Sequence, residues 1–204
     1  VGLLGISSAV RATEYDPTQR LQSIRPAWSF QLDSTHGTFE QTDSSADPRS
    51  EKIPSSIGLH LNYQPTFLQA LGTFSVGPSF YFYPFSTVNQ RVLKTPHTWA
   101  AGAEARYQLR LFRKQWLVPT AAYHSQYLAY QLSDGTSGKT MVRGHSLGAL
   151  FLLNSIDPEI SLDFFKSWGA LRTYLLAELR MTHGNDRQIV FSQKSYFFGL
   201  RIEY

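Results

Sequence analysis

The chain has 204 residues and no cysteine, with 19 Lys and Arg against 15 Asp and Glu for a formal net charge of +4. At this length one domain, or one plus a short appendage, is expected, and the missing cysteines exclude a disulfide framework, a thiolate metal site and a cysteine nucleophile. Aromatic residues make up 14% and charged residues only 17%, which argues against disorder. No apolar run nears the ~20 residues of a spanning helix, and the basic residues are too scattered for a nucleic-acid footprint.

Residues 1–12 are apolar, then small, and end Ala9-Val10-Arg11-Ala12. They read either as the tail of a secretory leader, with Val10 and Ala12 at the small-residue positions, or as a strand in which Gly2, Leu4, Ile6, Ser8 and Val10 alternate with Leu3, Gly5, Ser7 and Ala9. The domain organisation is accordingly 1–19 as leader remnant or additional strand, and 20–204 as the main domain.

From residue 20 onward the pattern has period two, which sends successive side chains to opposite faces of a strand. In 21–32, Ile24, Pro26, Trp28, Phe30 and Leu32 oppose Arg25, Ser29 and Gln31. In 56–64, Ile57, Leu59, Leu61 and Tyr63 oppose Gly58, His60, Asn62 and Gln64. In 73–85, Phe74, Val76, Pro78, Phe80 and Phe82 oppose Ser75, Gly77, Ser79, Tyr81 and Tyr83. In 99–111, Trp99, Ala101, Ala103, Ala105, Tyr107, Leu109 and Leu111 oppose Gly102, Glu104, Arg106, Gln108 and Arg110. Four more segments behave alike, at 117–127, 143–154, 170–181 and 196–204.

The polar face is rich in Gly, Ser, Ala, Tyr and Gln. Its charges are Arg25, Arg106, Arg110, Arg172, Arg180 and Arg201 against Glu104, Glu178 and Glu203. Arginine without lysine suits enclosed ion pairs, because the guanidinium fork holds carboxylates bidentately and is weakly hydrated. An apolar outside around a polar, ion-paired inside is the arrangement of a transmembrane β-barrel, and apolar faces spanning 9–13 positions match the ~9–11 residues needed to cross at a tilt. The fold expected is all-β: a closed antiparallel transmembrane barrel of eight strands, or ten if 1–12 is one of two additional strands. Connections 33–55, 86–98, 129–142 and 182–188 would lie outside the cell, and 65–72, 112–115 and 155–169 on the periplasmic side.

The last of these contains Asp157-Pro158-Glu159, an N-cap followed by proline at the first helical position and an acidic first turn. Ile160, Phe164 and Trp168 follow at i, i+4 and i+8, with Phe165 beside them and Gly169 at the stop. A short amphipathic helix near 157–168 is expected, lying in the periplasmic interface, docking a partner, or plugging the barrel. Four prolines, Pro26, Pro78, Pro84 and Pro119, each remove a ladder hydrogen bond, so bulges or strand ends are expected there.

The final residues, Tyr196-Phe197-Phe198-Gly199-Leu200-Arg201-Ile202-Glu203-Tyr204, resemble the C-terminal recognition strand of bacterial outer-membrane barrel proteins. Gly199, Ile202 and Tyr204 occupy that pattern's glycine, hydrophobic and terminal aromatic positions, whereas Phe197 stands where a polar residue is usual. The chain is similar by pattern over 20–204 to the small eight-stranded class of OmpA- and OmpX-like proteins. The resemblance implies a Gram-negative outer-membrane location, contact with outer-membrane lipid and lipopolysaccharide, insertion by the barrel-assembly machinery, and a periplasmic or outer-membrane protein partner. It implies no cofactor.

Two motifs raise enzymatic readings. Gly144-His145-Ser146-Leu147-Gly148 fits Gly-x-Ser-x-Gly, with Asp157 or Asp163 and His183 following in triad order. A nucleophile elbow needs a buried strand before the serine, and 134–140 reads as loop, so a soluble hydrolase is disfavoured. A barrel lipid hydrolase would pair His124 with a serine, but neighbouring Ser125 points to the opposite face, leaving only a serine across the sheet. The histidines show no metal-ligand spacing. Eight strands leave a lumen that side chains fill, which disfavours an open pore. The expected protein is therefore a non-enzymatic outer-membrane barrel with a structural, attachment or scaffolding role, the alternatives being a narrow conduit or a membrane-embedded lipid esterase.

Overall fold

The computed structural model describes residues 24–42, 48–65, 72–83, 98–112, 115–131, 137–185 and 190–204. The expectations for 1–12 and 1–19 lie outside these residues. The strands are β1 (Trp28–Thr42), β2 (Pro48–Tyr63), β3 (Thr73–Tyr83), β4 (Thr98–Gln108), β5 (Leu117–Gln131), β6 (Ser137–Leu152), β7 (Arg172–Asn185) and β8 (Val190–Glu203). Each pairs antiparallel with its sequence neighbours, and β1 pairs with β8 from Ser29↔Glu203 to Thr42↔Val190. That last ladder closes the barrel at eight strands and leaves no gap for a ninth.

The alternation places side chains as the sequence predicts. Ile57, Leu59, Leu61 and Tyr63 of β2 are exposed, while His60, Asn62 and Gln64 are buried. On β4, Trp99 and Tyr107 face out, and Glu104, Arg106 and Gln108 face in. The exterior is thus a belt of exposed large apolar side chains and the interior a packed polar lumen.

Three expectations are corrected. The first strand begins at Trp28, so Pro26 precedes it and is buried, and exposed Arg25 is not a lumen residue. The segment 33–55 is not a long loop, because β1 runs on to Thr42 and β2 begins at Pro48. Strand likewise covers most of 129–142 and 182–188. The physical reason is common to all three segments: past the apolar belt the hydrophobic alternation stops, but backbone pairing continues. Finally, Pro78 makes no bulge. It stays in register opposite Ala103, while the β2–β3 ladder skips from His60↔Ser79 to Tyr63↔Val76 without a shift. Pro119 lies near the start of β5, and its carbonyl accepts from Leu109 N at 2.9 Å. Pro84 lies outside the described residues. The register shift that does occur, between Thr35 and Gly37 of β1, falls opposite 53–56 of β2.

At the lower end, where β6 leads to β7, a 3-10 turn (Leu153–Ser155) precedes helix α1 (Pro158–Trp168). Asp157 Oδ1 accepts from Glu159 N at 3.1 Å and Ile160 N at 3.0 Å, and Gly169 ends the helix at φ 70. The helix does not plug the barrel: Ile160, Phe164 and Trp168 are exposed, with Phe165 half-buried.

Candidate functional site

The lumen holds two connected polar clusters. The central one is built on Glu104 of β4. Its Oε1 accepts from Arg106 Nε at 2.8 Å and Asn62 Nδ2 at 3.3 Å, and its Oε2 lies 2.8 Å from His60 Nδ1 and 3.3 Å from His124 Nδ1. Arg106 bridges onward to Glu178 and donates to Thr120 Oγ1 at 3.2 Å. On its other side His60 Nε2 is 2.9 Å from Asp33 Oδ2, so the ring lies between two carboxylates. Tyr81 Oη is 2.7 Å from the same nitrogen. Arg180 closes the cluster: it donates to Tyr81 Oη and lies 3.8 Å from Asp33 and 3.6 Å from Glu178.

The lower cluster gathers on Glu203. Arg110 Nη2 reaches both carboxylate oxygens at 2.7 Å, Gln64 and Gln108 donate at 3.3 and 3.2 Å, and Arg172 stands 3.6 Å away. Arg201 stands 3.7 Å from that carboxylate and donates to Gln31 Oε1 at 3.1 Å and Ser75 Oγ at 3.4 Å. Gln31 Nε2 in turn donates to Asp33 at 2.7 Å, which links the two clusters.

Apolar side chains pack beside this polar column. Tyr81, Ala100, Leu128, Tyr130 and Phe197 pack together on the upper side, and Val118, Leu150, Leu152, Tyr174 and Leu176 on the lower. The Arg180 guanidinium carbon sits 3.8 Å from the centre of the Phe197 ring and 4.9 Å from that of Tyr81. This cation–π contact explains the departure at Phe197: the residue is polar in the usual pattern, but here an aromatic face carries the arginine.

Of the predicted lumen charges, Glu104, Arg106, Glu178, Arg180, Arg201 and Glu203 are fully enclosed, and Arg110 and Arg172 sit at the lower rim with 15% side-chain exposure. Only Arg25 falls outside. Asp33 falls in the segment expected as a connection, yet it is a buried residue of β1. The signal was nonetheless there, since Ser29, Gln31, Asp33 and Thr35 continue one buried face. His60 and His124 both face inward, and that they meet a common carboxylate is decided only by the arrangement of β2, β4 and β5.

The serine motif has a definite place. Ser146 lies mid-strand in β6, opposite Arg180 on β7, and not at a strand-to-helix elbow. His124 Nε2 is 3.1 Å from Ser146 Oγ, while Ser125 is turned to the other face. Ser146, His124 and Glu104 therefore form a serine–histidine–carboxylate chain, with Ser146 1% exposed. Gly148, paired with Glu178, leaves room for that carboxylate.

The exterior carries two aromatic girdles. Trp28, Tyr63, Tyr107, Trp116 and Tyr204 ring the lower end, with Trp28 and Tyr63 centroids 5.2 Å apart. Phe82, Trp99, Tyr127 and Tyr196 ring the upper end. The recognition-strand residues Gly199, Ile202 and Tyr204 all lie on or directly after β8, which closes the barrel.

No sequence-family model matches the chain, and no curated protein sequence does. Among solved structures it is similar to Neisserial surface protein A, at 15% identity and a TM-score of 0.54, over 87% of this chain and 97% of that one. It also aligns with the N-terminal β-barrel domain of Pseudomonas aeruginosa OprF (10% identity, TM-score 0.48, 88% and 100% covered). A third match is Ail, the attachment invasion locus protein of Yersinia pestis (8%, 0.46, 88% and 100%). The likeness in fold rests on the first of these and on the closed eight-strand ladder. In fold, the chain is similar to that surface protein, a likeness that the closed eight-strand ladder shares.

Proposed function

We propose that this chain is an integral β-barrel of the Gram-negative outer membrane, with a structural, attachment or scaffolding role and no catalytic one. The observation that carries the reading is the inversion of polarity. Phe30, Leu32, Leu61, Phe80, Leu147, Leu175 and Phe198 are exposed, whereas Glu104, Arg106, Arg201 and Glu203 are at most 1% exposed. In water that distribution would leave a large apolar surface uncovered; in a bilayer it satisfies both solvents, and the aromatic girdles mark the two interfaces. The lower end, with the helix and the chain's last strand end, faces the periplasm, and the extended β1–β2 and β7–β8 hairpins stand outside as the surface for attachment. Ile160, Phe164 and Trp168 lie in the inner acyl boundary or against a protein partner, and the barrel-assembly machinery inserts the chain.

The test is extraction followed by gel mobility with and without boiling, together with far-ultraviolet circular dichroism. The expected result is a detergent requirement, a β spectrum and a mobility that changes on heating. A chain that stays in aqueous solution with unchanged mobility would overturn the reading. The side chains packed in the lumen add two expectations. Planar-bilayer recordings should show no conductance steps, and a fluorophosphonate probe should leave Ser146 of the folded barrel unlabelled. Regular steps would establish the conduit, and labelling lost in Ser146→Ala would establish the esterase.

A further inference from the structure

Among the described residues, the charges on the outward face are as one-sided as those in the lumen are balanced. Every acidic side chain described on the strands, at Asp33, Glu104, Glu178 and Glu203, points into the barrel. Among the described residues, the lysine, arginine and histidine side chains that the strands turn outward are Lys139, Arg143 and His145 on β6, His183 on β7 and Lys194 on β8.

These residues converge. Arg143 stands opposite His183, and His145 opposite Met181, which in turn stands opposite Lys194. Direct cross-strand neighbours are about 5 Å apart and diagonal ones about 7–8 Å, so Arg143, His145, His183 and Lys194 form one patch around Met181. Lys139 extends it along β6. Among the described residues no carboxylate lies within ion-pair distance of Lys139, Arg143 or Lys194, and the Arg143 guanidinium meets the Met141 sulfur at 3.6 Å. The nearest acidic position in register is Glu40, opposite Ser192.

The height of the patch is set by the apolar belt. On β7, Thr173, Leu175, Ala177, Leu179 and Met181 share the outward face before His183; on β8, Ile202, Leu200, Phe198 and Tyr196 precede Lys194. Nine residues at ~3.3 Å each and ~45° tilt cover about 20 Å, close to the ~25 Å apolar band of such barrels. The cations begin where that band stops at its upper edge, which is headgroup level.

Resting on the membrane reading above, we infer that Lys139, Arg143, His145, His183 and Lys194 form a binding site for the phosphate groups of a lipid in the outer leaflet. The arginine supplies a planar fork for phosphate oxygens and the lysines point charges, while the apolar belt beneath takes the acyl chains. A scaffold of this kind would carry its own ordered lipid on the β6–β8 side.

The test uses the full chain folded into phosphatidylcholine vesicles, with heat-shifted mobility recorded on the same samples; loss of that shift would tell against the barrel itself and not this site. Trace spin-labelled bisphosphorylated lipid A is added, or the same lipid stripped of its phosphates, and the motionally restricted fraction is measured. The phosphorylated lipid should be preferred. Each surface cation contributes about fivefold, so Lys139→Gln/Arg143→Gln/Lys194→Gln should lose on the order of a hundredfold, and Lys194→Gln alone about fivefold, with the heat shift intact. Equal association of the two lipids, or an undiminished preference in both variants, would overturn the proposal. So would full competition by inorganic phosphate, which would mean a site for the free ion.

Discussion

Replacing Glu104 by glutamine should lower the stability of the folded barrel by about 3–5 kcal/mol, the range seen when one partner of a buried ion pair is removed. Glutamine keeps the shape and an acceptor for Arg106 and Asn62, so packing loss is small. What disappears is the negative charge that faces Arg106 at 2.8 Å, His60 at 2.8 Å and His124 at 3.3 Å, all without access to water. Arg106 would retain Glu178, but His60 would keep only Asp33. The measurement is the urea midpoint for conversion of the compact gel form to the extended one, in vesicles. Removing both charges, as Glu104→Leu/Arg106→Leu, should cost less than Glu104→Leu and Arg106→Leu summed, since neither is left without the other and Glu178 keeps Arg180 at 3.6 Å. Additivity, or a single-variant loss below about 1 kcal/mol, would show that the carboxylate is hydrated and the lumen open.

The second large effect is expected on the other surface. Ala177 lies at the centre of the outward apolar run on β7, between Leu175 and Leu179, with Ala149 and Phe198 as its cross-strand partners. Ala177→Arg should cost about 2–4 kcal/mol, the value for a cation at the bilayer midplane, and His183→Arg, two pairs above Leu179, about 0–1 kcal/mol. A water-facing sheet would treat both as neutral surface changes. The contrast between the two positions therefore measures the solvent, and equal, small losses would sink the membrane assignment. The two predictions are independent, one reading the lumen and the other the lipid face.

How much of this was legible in one dimension follows from what each signal depends on. Period-two alternation is a local property of the backbone, so the inward placement of Glu104, Arg106, Arg180 and Arg201 could be read directly. The helix was equally legible, because Asp157, Pro158 and Gly169 act within their own turn. Strand ends were not. Beyond Leu32 the apolar alternation lapses, with Phe39 the one large apolar residue before Thr42, and only pairing of β1 with both β2 and β8 reveals that the strand continues. Arg25 was misplaced for the converse reason, since the alternation runs back past Trp28 while the pairing does not.

The sequence by itself determined the sign of the solvent on each face, because that depends only on which side chains share a face. The tertiary structure alone decided which charges meet. Asp33, His60, Glu104, His124 and Ser146 come from β1, β2, β4, β5 and β6, and no spacing along the chain encodes their contact. Strand order supplies β1–β2, β4–β5 and β5–β6 as neighbours; a lumen narrow enough for side chains to meet across it brings His60 of β2 within reach of Glu104 on β4.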